Sequence, residues 1–475
     1  MARSNDLGRD SIPGLVLRIA IPSMLAQFVS VFYSIVDRIF VSSIPGVGDL
    51  ALAGLGVCGP VVTMVGSFAF LIGIGGTPLM GISLGERNPK RAQQILANCF
   101  AMLLVLAVIL TGTVYALREP MLRIFGASDI TYEYAESYFS VYIAGTVFAL
   151  MSTGMNQFII AQGHAKTGMC AVMIGTVLNI ILDPVFIFVF DMGVRGAALA
   201  TVVSQAVSAT FVLSFLFSRR SGVRITFGGY DWGIMSRVLK LGFTPFAIIA
   251  VDNVMIIAMN ALLQSHGGVQ GDVLITVNTI AQSFMLVVTM PLGGISGGTQ
   301  CILSFNYGAG NSDRVQKAHR FISLLCAGYN TLLFVLAHTC GPLFISLFTK
   351  DAVIAAEAFR AIKIVTIAII PLGIQYAIID GLTGMGQVQV SLPLSFWRKT
   401  VYFVSIFLLA QWFGAASVFY AEPISDIIGP LVSIPVCMKT LPRILKHREE
   451  DLRPKVYHKT KNSPVPFGTG DFIFH

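Results

Sequence analysis

TGMCAVMIGTVLNIILDPVFIFVF, residues 167–190, is an apolar run with a single charged side chain, Asp183. A run of about 20 apolar residues is long enough to cross a bilayer as a helix. An ionisable group near its centre costs at least ~2.5–3.5 kcal/mol, so it normally faces an interior cavity and marks an ion or substrate pathway. Pro184 interrupts the helical hydrogen bonds at the same point. The stretch from Asn179 to Pro184 therefore predicts a functional site within a membrane-spanning helix.

The composition extends this interpretation to the whole chain. Apolar residues make up 55% of its 475 residues and charged residues 12%, which excludes a soluble domain with a solvated charged surface. We predict an all-α polytopic membrane protein with twelve transmembrane helices, each long enough to cross a ~30 Å hydrocarbon core. These helices are expected near residues 14–43, 51–83, 94–117, 132–161, 167–191, 194–217, 237–264, 273–305, 319–340, 357–383, 390–411 and 414–440.

Basic residues in the connections predict the orientation, because Lys and Arg are retained on the cytoplasmic side. Most of them, Arg398 and Lys399 among them, fall on the side of the two termini. The opposite side holds four: Arg118, Arg123, Arg195 and Lys350. We expect a multi-pass protein of the plasma (bacterial inner) membrane with both termini in the cytoplasm. The net charge of +8 then follows from basic loops that face the lipid bilayer, and no nucleic-acid partner is needed.

Sequence motifs of enzymes are missing from the chain. It has no Walker A motif, no HExxH and no nucleophile elbow, and its seven cysteines lack paired spacing. The first apolar segment lacks the short h-region of a cleavable signal and is expected to remain as an anchor. We predict a protein that is not an enzyme and has no cofactor.

Two loops share the pattern G-x-x-N-x-x-R, at residues 85–91 and 308–314, an offset of 223. Three further pairs have the same offset: Pro22 and Pro245, Phe125 and Phe348, and Gly163 and Gly386. Several matches at a constant offset indicate an internal repeat. Because 223 residues contain six predicted crossings, the halves run in the same direction, as in parallel-repeat transporters. A duplicated bundle that serves as a channel or a membrane enzyme is the alternative.

The repeat divides the chain into an N-lobe, residues 14–218, and a C-lobe, residues 237–441. A basic cytoplasmic linker, 219–236, is expected to join them. The cytoplasmic N-terminus, 1–13, and a basic, proline-containing tail, 442–475, lie outside the lobes, and the tail is expected to be mobile.

Polar side chains from four predicted helices fall at a common depth below the outer surface. At 1.5 Å per residue, Asp37 and Thr201 lie ~9 Å deep, Asp183 lies ~12 Å deep, and Tyr138 is similarly placed. Asn179 is four residues from Asp183 and shares its helix face. Carboxylate, carboxamide and hydroxyl oxygens are ligands that Na⁺ accepts. They could equally hold a proton, because two carboxylates in a low-dielectric site repel each other.

Three intramembrane prolines predict hinges. Pro22 and Pro245 occupy matching positions in the first and seventh helices, where each removes a helical hydrogen bond. Pro184 leaves the carbonyl of Ile180 without its usual partner, which provides a spare ligand oxygen beside the acids.

The second half contains comparable intramembrane acids, Asp252 and Asp426, each ~18 Å from a helix end. They are candidates for a second coupling or substrate-contact site. The alternative is that Asn253 or helix-terminal donors satisfy them structurally.

The chain resembles the multidrug and toxic compound extrusion (MATE) transporters, nearest to the bacterial DinF-like and MepA-like branch. The resemblance extends to about Leu441 and rests on the duplicated loop and on three stretches: Ser34-Ile35-Val36-Asp37, Asn179 to Pro184, and Gly196-Ala197-Ala198-Leu199-Ala200-Thr201. It implies two six-helix lobes around a central cavity and export of organic cations against an inward flow of Na⁺ or H⁺.

In this branch the N-lobe cation site corresponds here to Asp37, Asn179, Asp183 and Thr201. Tyr138 is a looser match, and Tyr33 and Asn156 complete a candidate network. Arg38 departs from the branch, which commonly has an uncharged residue there, and it bears on the ion preference.

We therefore hypothesise a monomeric antiporter that exports drug-like, cationic small molecules by alternating access of its lobes. Apolar and aromatic cavity walls are expected to give broad specificity, with carboxylates adding charge preference. A lipid-linked precursor flippase of the same superfamily and, less favoured, an integral-membrane enzyme are the alternatives.

Overall fold

A computed structural model describes residues 5–125, 127, 129–267 and 271–452. Within these residues the chain is helical and has no strand, so the all-α prediction is confirmed. The first half forms α1 (Ile12–Ser42), α2 (Gly48–Gly85), α3 (Pro89–Ala116), α4 (Arg118–Ile124), α5 (Tyr132–Ala144), α6 (Thr146–Ala161), α7 (Ala165–Pro184) and α8 (Gly193–Phe217). The second half forms α9 (Trp232–Gly267), α10 (Gly271–Gly298), α11 (Gln300–Gly308), α12 (Ser312–Ile345), α13 (Ala352–Val365), α14 (Ile369–Gly384), α15 (Val388–Phe413) and α16 (Ala421–Leu452).

Ten helices of the described chain are individually long and apolar enough to cross a membrane. Two further spans are bent pairs: α5 meets α6 at 56°, and α13 meets α14 at 51°. If each pair counts as one span, the total is twelve, as predicted from the apolar runs.

The internal repeat is visible in the backbone, where left-handed residues recur at the offset of 223. Three pairs have positive φ: Arg87 (57°) and Gly310 (72°), Gly163 (83°) and Gly386 (77°), and Asp191 (51°) and Gly414 (83°). A left-handed backbone is costly for a residue with a Cβ, so Arg87 carries strain that Gly310 does not. The two lobes thus keep the same turns even where the residue types differ.

The lobes pack together at one end of the bundle only. This end, which we call the terminal end, holds the start of α1, the α2–α3 and α11–α12 loops and the end of α16. One apolar core spans both lobes there, from Leu15 and Ile19 to Ile302 and Leu445. At the opposite end the N-lobe and the C-lobe have separate cores. The two lobes therefore meet at the terminal end and diverge toward the other.

Glycines permit this close approach. A Cβ on Gly85 would lie 2.0 Å from the Phe305 carbonyl oxygen, and one on Gly308 would lie 2.2 Å from that of Ile82. Gly85 and Gly308 occupy equivalent positions of the repeat, so each lobe presents the same glycine to the other. Small residues let membrane helices approach at backbone distance.

The segment between the lobes, residues 218–231, packs against the start of α3. Gln94 Nε2 donates to the Gly229 carbonyl (2.8 Å), and the Asp231 N–H donates to Asn98 Oδ1 (2.9 Å). The ring of Phe227 lies 6.3 Å from that of Phe100. The chain itself therefore covers this face of the N-lobe.

The predicted hinge prolines differ in their surroundings. Pro22 and Pro245 lie inside α1 and α9, which continue through them. Pro184 ends α7, and a π-helical turn, Val185–Val189, follows it. Single π turns often occur at functional sites.

The last helix continues past the predicted start of the tail at residue 442. It passes through Pro442 and ends at Leu452, with Leu445 buried in the shared core. Residues 453–475, the rest of the predicted tail, lie outside the described residues.

Candidate functional site

The polar residues predicted in the N-lobe come together where α1, α7 and α8 meet. Asn179 and Asp183 lie on one face of α7, and Tyr33 on α1 and Thr201 on α8 face them. Asp183 is fully buried and Asp37 is 8% exposed. The structure thus assembles an acid pair with its polar neighbours, which we call the acid cluster: Tyr33, Asp37, Asn179, Asp183 and Thr201.

The Asn179 carboxamide connects the members of the acid cluster. With its nitrogen turned toward the acceptors, it donates to Tyr33 Oη (3.0 Å) and to Asp183 Oδ2 (3.2 Å). Its oxygen then accepts the Thr201 backbone N–H (3.0 Å). The Thr201 hydroxyl donates to the Ala197 carbonyl (3.0 Å) and lies 3.4 Å from Tyr33 Oη. One amide therefore fixes three helices around Asp183.

The two carboxyl groups of the cluster are neighbours. The side chains of Asp37 and Asp183 lie close enough to act on each other electrostatically. Among the described residues, Asp37 Oδ1 is buried and has no hydrogen-bond partner. Two carboxylates at this separation in a low-dielectric interior require a shared proton or a bound cation. Arg38, next in sequence, is exposed and acts on Asp37 electrostatically, but it forms no ion pair with Asp37 among the described residues.

Tyr138 and Asn156 flank the cluster differently. Tyr138 is buried, interacts electrostatically with Asp37 and stacks on Tyr142 with the ring centroids 6.0 Å apart. Asn156 donates instead to the Gly168 carbonyl (3.3 Å), and its own oxygen has no hydrogen-bond partner among the described residues. Tyr138 therefore lies beside the acid pair, whereas Asn156 faces the cavity described next.

A cavity of about 360 Å³ lies between the lobes and touches the acid cluster. Tyr33, Asn179 and Thr201 belong both to the cluster and to the cavity wall. Most of the remaining lining residues are Ser, Thr, Asn, Gln or Gly, and no Asp, Glu, Lys or Arg of the described chain lines the cavity. Most of the exposed wall surface is nevertheless apolar, as expected, and Tyr33 and Phe70 are the aromatic residues among the lining residues. The expected carboxylates do not line the wall, because the acids lie one layer behind.

The acids predicted in the C-lobe are paired with cations of the same lobe. Asp252 on α9 forms an ion pair with Lys399 on α15. Asp426 on α16 is fully buried and accepts from Arg398 Nη1 (2.9 Å). Glu422 lies 3.9 Å from the same guanidinium. Asp252 and Asp426 therefore form ion pairs within their own lobe, whereas Asp37 and Asp183 form none among the described residues.

This pairing corrects the sequence interpretation of Arg398 and Lys399 as cytoplasmic loop cations. Both lie about ten residues inside α15, and Arg398 is buried. The orientation argument counts them with the loop cations, although the predicted span 390–411 already contains both residues. The signal that could have identified them is the presence of unpaired acids in two neighbouring predicted spans.

No group of three or more His, Cys, Asp or Glu side chains suited to a metal ion occurs in the described part of the chain. The acid cluster is instead an oxygen-rich site with two carboxyl groups. Two duplicated lobes, an interlobe cavity and a buried acid pair define a multi-pass membrane transporter.

Comparison with known proteins agrees with this class. The profile of the MatE family matches the chain twice, at residues 22–185 and 249–420, once in each half. The chain therefore belongs to the MatE family of transporters, and the membrane-enzyme alternative is set aside.

Relatives and solved structures cover most of the chain. The multidrug export protein MepA of Staphylococcus haemolyticus (strain JCSC1435) is 22% identical over 423 residues, which cover 88% of this chain and 91% of that protein. A structure described as the outward-facing conformation of a multidrug resistance MATE family transporter has a TM-score of 0.87 at 22% identity, over 94% of this chain and all of that one. A MOP superfamily transporter from Pyrococcus furiosus Vc1, described as having a binding pocket of reverse polarity, has a TM-score of 0.86 at 22% identity, with 93% and 99% coverage.

Proposed function

We propose that the protein is a secondary active antiporter that exports organic, cationic drug-like compounds in exchange for Na⁺ or H⁺. The buried pair of Asp37 and Asp183 carries this proposal, because no cation forms an ion pair with it among the described residues, and Arg38, which acts on Asp37 electrostatically, is exposed. Such a pair gains most from a cation or proton supplied from outside the protein.

The donor set of the acid cluster fits either coupling ion. The unpartnered Asp37 Oδ1 and the Asp183 carboxyl group provide negative oxygens, and Thr201 provides a hydroxyl group. Asn179 donates to Asp183 in either orientation of its amide, at 3.2 or 3.4 Å, and in the second orientation its oxygen faces the acid and is available to Na⁺. A proton shared by the two carboxyl groups would leave the amide as it is.

The shape of the molecule supports alternating access. The lobes are packed at the terminal end and separate at the other, so this conformation opens the cavity away from the termini. We place the terminal end in the cytoplasm, since most loop Lys and Arg residues lie there. Ion binding drives export only if the ion binds one arrangement of the lobes more tightly than the other.

Coupling between ion and substrate follows from shared residues. Asn179 contacts Asp183 directly and is hydrogen-bonded to Tyr33 and Thr201, and all three residues line the cavity. A cationic substrate in the cavity is therefore one side-chain layer from Asp37 and Asp183 and competes electrostatically with the coupling ion. One chain contains both lobes, so a monomer suffices.

The flippase alternative receives no support from the cavity. A lipid pyrophosphate needs cationic side chains, and no Lys or Arg of the described chain lines the cavity.

Reconstituted vesicles test the proposal. With Na⁺ and pH gradients imposed separately, wild-type protein should export a fluorescent organic cation under at least one of them. Asp183→Asn and Asp37→Asn should abolish gradient-driven efflux, because each removes a charge that the ion neutralises. Asp129→Asn is the matched control, since Asp129 is an exposed N-lobe acid paired with Arg123. Full coupled efflux by Asp183→Asn would overturn the proposal.

A further inference from the structure

A groove at the terminal end lies outside the transport cavity. It has a volume of about 530 Å³ and runs between the first turn of α1 and the first three turns of α12. Ile12 and Pro13 form one wall, and Arg314, Lys317 and Arg320 lie along the other. Because α1 belongs to the N-lobe and α12 to the C-lobe, the groove follows the seam between the lobes.

The α12 wall changes from basic to apolar along the helix. Lys317 and Arg320 are exposed near its start, and Leu324, one turn further, is 70% exposed. Lys317 and Leu324 are seven residues, or ~10 Å, apart on the same face. This sequence of charges and apolar groups matches the step from a lipid headgroup to its acyl chains.

The residues that line the groove carry a net positive charge. Lys317 pairs with Asp313, the groove's one acid (2.7 Å). Arg314 is engaged with the chain itself, since it donates to Asn306 Oδ1 (2.9 Å) and to the carbonyls of Leu7 (3.2 Å) and Asp10 (2.9 Å). Arg320 forms no ion pair within the described residues.

The symmetry of the fold shows what occupies the equivalent place in the N-lobe. The counterparts of Lys317 and Arg320 at the offset of 223 are Gln94 and Ala97, both uncharged. Gln94 binds the Gly229 carbonyl, so the interlobe segment covers that face. In the C-lobe, the described chain leaves the corresponding face open, and it carries two cations there instead.

We propose that this groove binds the phosphate headgroup of an anionic phospholipid, with one acyl chain against Leu324. The chain segments outside the described residues are less suitable occupants of the groove, because they are basic, as the groove is. Residues 1–4 contain Arg3, and residues 453–475 contain four Lys and Arg residues against one acid, Asp471. A lipid that contacts α1 and α12 together also holds the lobes packed at the terminal end. This proposal depends on the membrane-spanning fold but not on the proposed antiport activity.

Native mass spectrometry of the full-length protein, with phosphatidylglycerol and phosphatidylcholine in equal amounts, tests this site. Wild-type protein should retain phosphatidylglycerol preferentially. Lys317→Gln with Arg320→Gln should weaken that retention about 30-fold, because each basic side chain near an anionic surface contributes about one factor of five. Inorganic phosphate at the same concentration should not displace the lipid.

Lys90→Gln with Arg91→Gln is the matched control, since both residues are exposed at the start of α3, the counterpart of α12. It should retain the lipid, and all variants should keep the wild-type melting temperature in phosphatidylcholine. Equal loss in both double variants, or no preference in wild-type protein, would overturn the proposal. A rise in bound lipid after deletion of residues 453–475 would identify the tail as the occupant and also overturn it.

Discussion

Asn179 is the side chain that gives the acid cluster its order. Its amide satisfies Tyr33, Asp183 and the Thr201 backbone at once, and each of these groups lies on a different helix or at a different turn. An aspartate in its place would repel Asp183, and an apolar residue would leave three polar groups unpaired in the interior. The carboxamide is therefore suited to hold an acid close to its partner without neutralising it.

Two substitutions of Thr201 test whether its hydroxyl group takes part in ion binding. Valine has the shape of threonine without the hydroxyl group, and serine keeps the hydroxyl group. If that oxygen takes part in ion binding, Thr201→Val should raise the Na⁺ or H⁺ concentration for half-maximal efflux about tenfold, the effect of one hydrogen bond of ~1–1.5 kcal/mol. Thr201→Ser should stay within about twofold. Equal behaviour of the two variants in the vesicle assay would exclude a role for the hydroxyl group.

Depth along a helix could be predicted from the sequence, and partners across helices could not. A rise of 1.5 Å per residue was enough to place Asp37, Asp183 and Thr201 in one layer, and the structure brings their helices together. The ion pairs of Arg398 and Lys399 depend on how α15 is rotated against α16 and α9. That rotation is set by packing, which the hydropathy of a single segment does not encode.

The α10 helix shows two functions for glycine within one turn. A Cβ on Gly294 would lie 2.7 Å from the Ser23 carbonyl oxygen of α1, and one on Gly298 would lie 2.5 Å from Ser23 Oγ. A Cβ on Gly293 would meet nothing within 4 Å. One face of α10 is therefore closed against α1, next to Pro22, and the adjacent face opens to the cavity.

Alanine substitutions should separate these two faces. Gly294→Ala forces backbone apart and should destabilise the protein by about 1–3 kcal/mol. Gly293→Ala should be neutral or stabilise it by up to ~1 kcal/mol, because alanine favours the helix more than glycine does. Thermal unfolding midpoints in detergent measure both. A drop for Gly293→Ala as large as that for Gly294→Ala would contradict this assignment of the faces.

The twelve spans follow from apolar runs, but their two bends do not. α5 and α6 were predicted as one helix, 132–161, because the residues on both sides of the break are apolar. The bend lies at Gly145, where a Cβ would lie 2.5 Å from the Val202 side chain. Contact with another helix therefore fixes the position of the break. The hydropathy of the apolar run does not indicate that contact.

At the scale of the molecule, a few polar contacts close the terminal end over the shared core. Arg448 on α16 donates to Glu86 Oε1 of the N-lobe (2.6 Å) and to the Tyr307 and Gly308 carbonyls of the C-lobe (3.2 and 3.1 Å). Asn5 donates to the Gly163 carbonyl (2.8 Å). Of these contacts, the Arg448–Glu86 pair joins the two lobes, so it must break if the terminal end is to open.

Removing the Glu86–Arg448 pair should favour that opening. Glu86→Gln and Arg448→Gln should each shift the equilibrium by about 0.5–2 kcal/mol toward separated lobes, since the pair is largely shielded from water. Distances between spin labels on the α2–α3 and α11–α12 loops report the shift. Lys446→Gln is the control, because Lys446 pairs only within its own helix. Unchanged distances in both variants would show that the Glu86–Arg448 pair does not hold the terminal end closed.

The meeting of Gly85 with the backbone around Gly308 also bears on the ancestry of the chain. A contact in which one position faces its own repeat copy is isologous, the kind that a two-fold symmetric dimer makes. Six crossings return each half to the side from which it started, so two separate copies could have inserted in the same direction. The glycine contact is the one that a six-helix ancestor would have made if it paired with itself before gene fusion. In such an ancestor one mutation would have altered both sides of the seam, whereas fusion lets each side change alone.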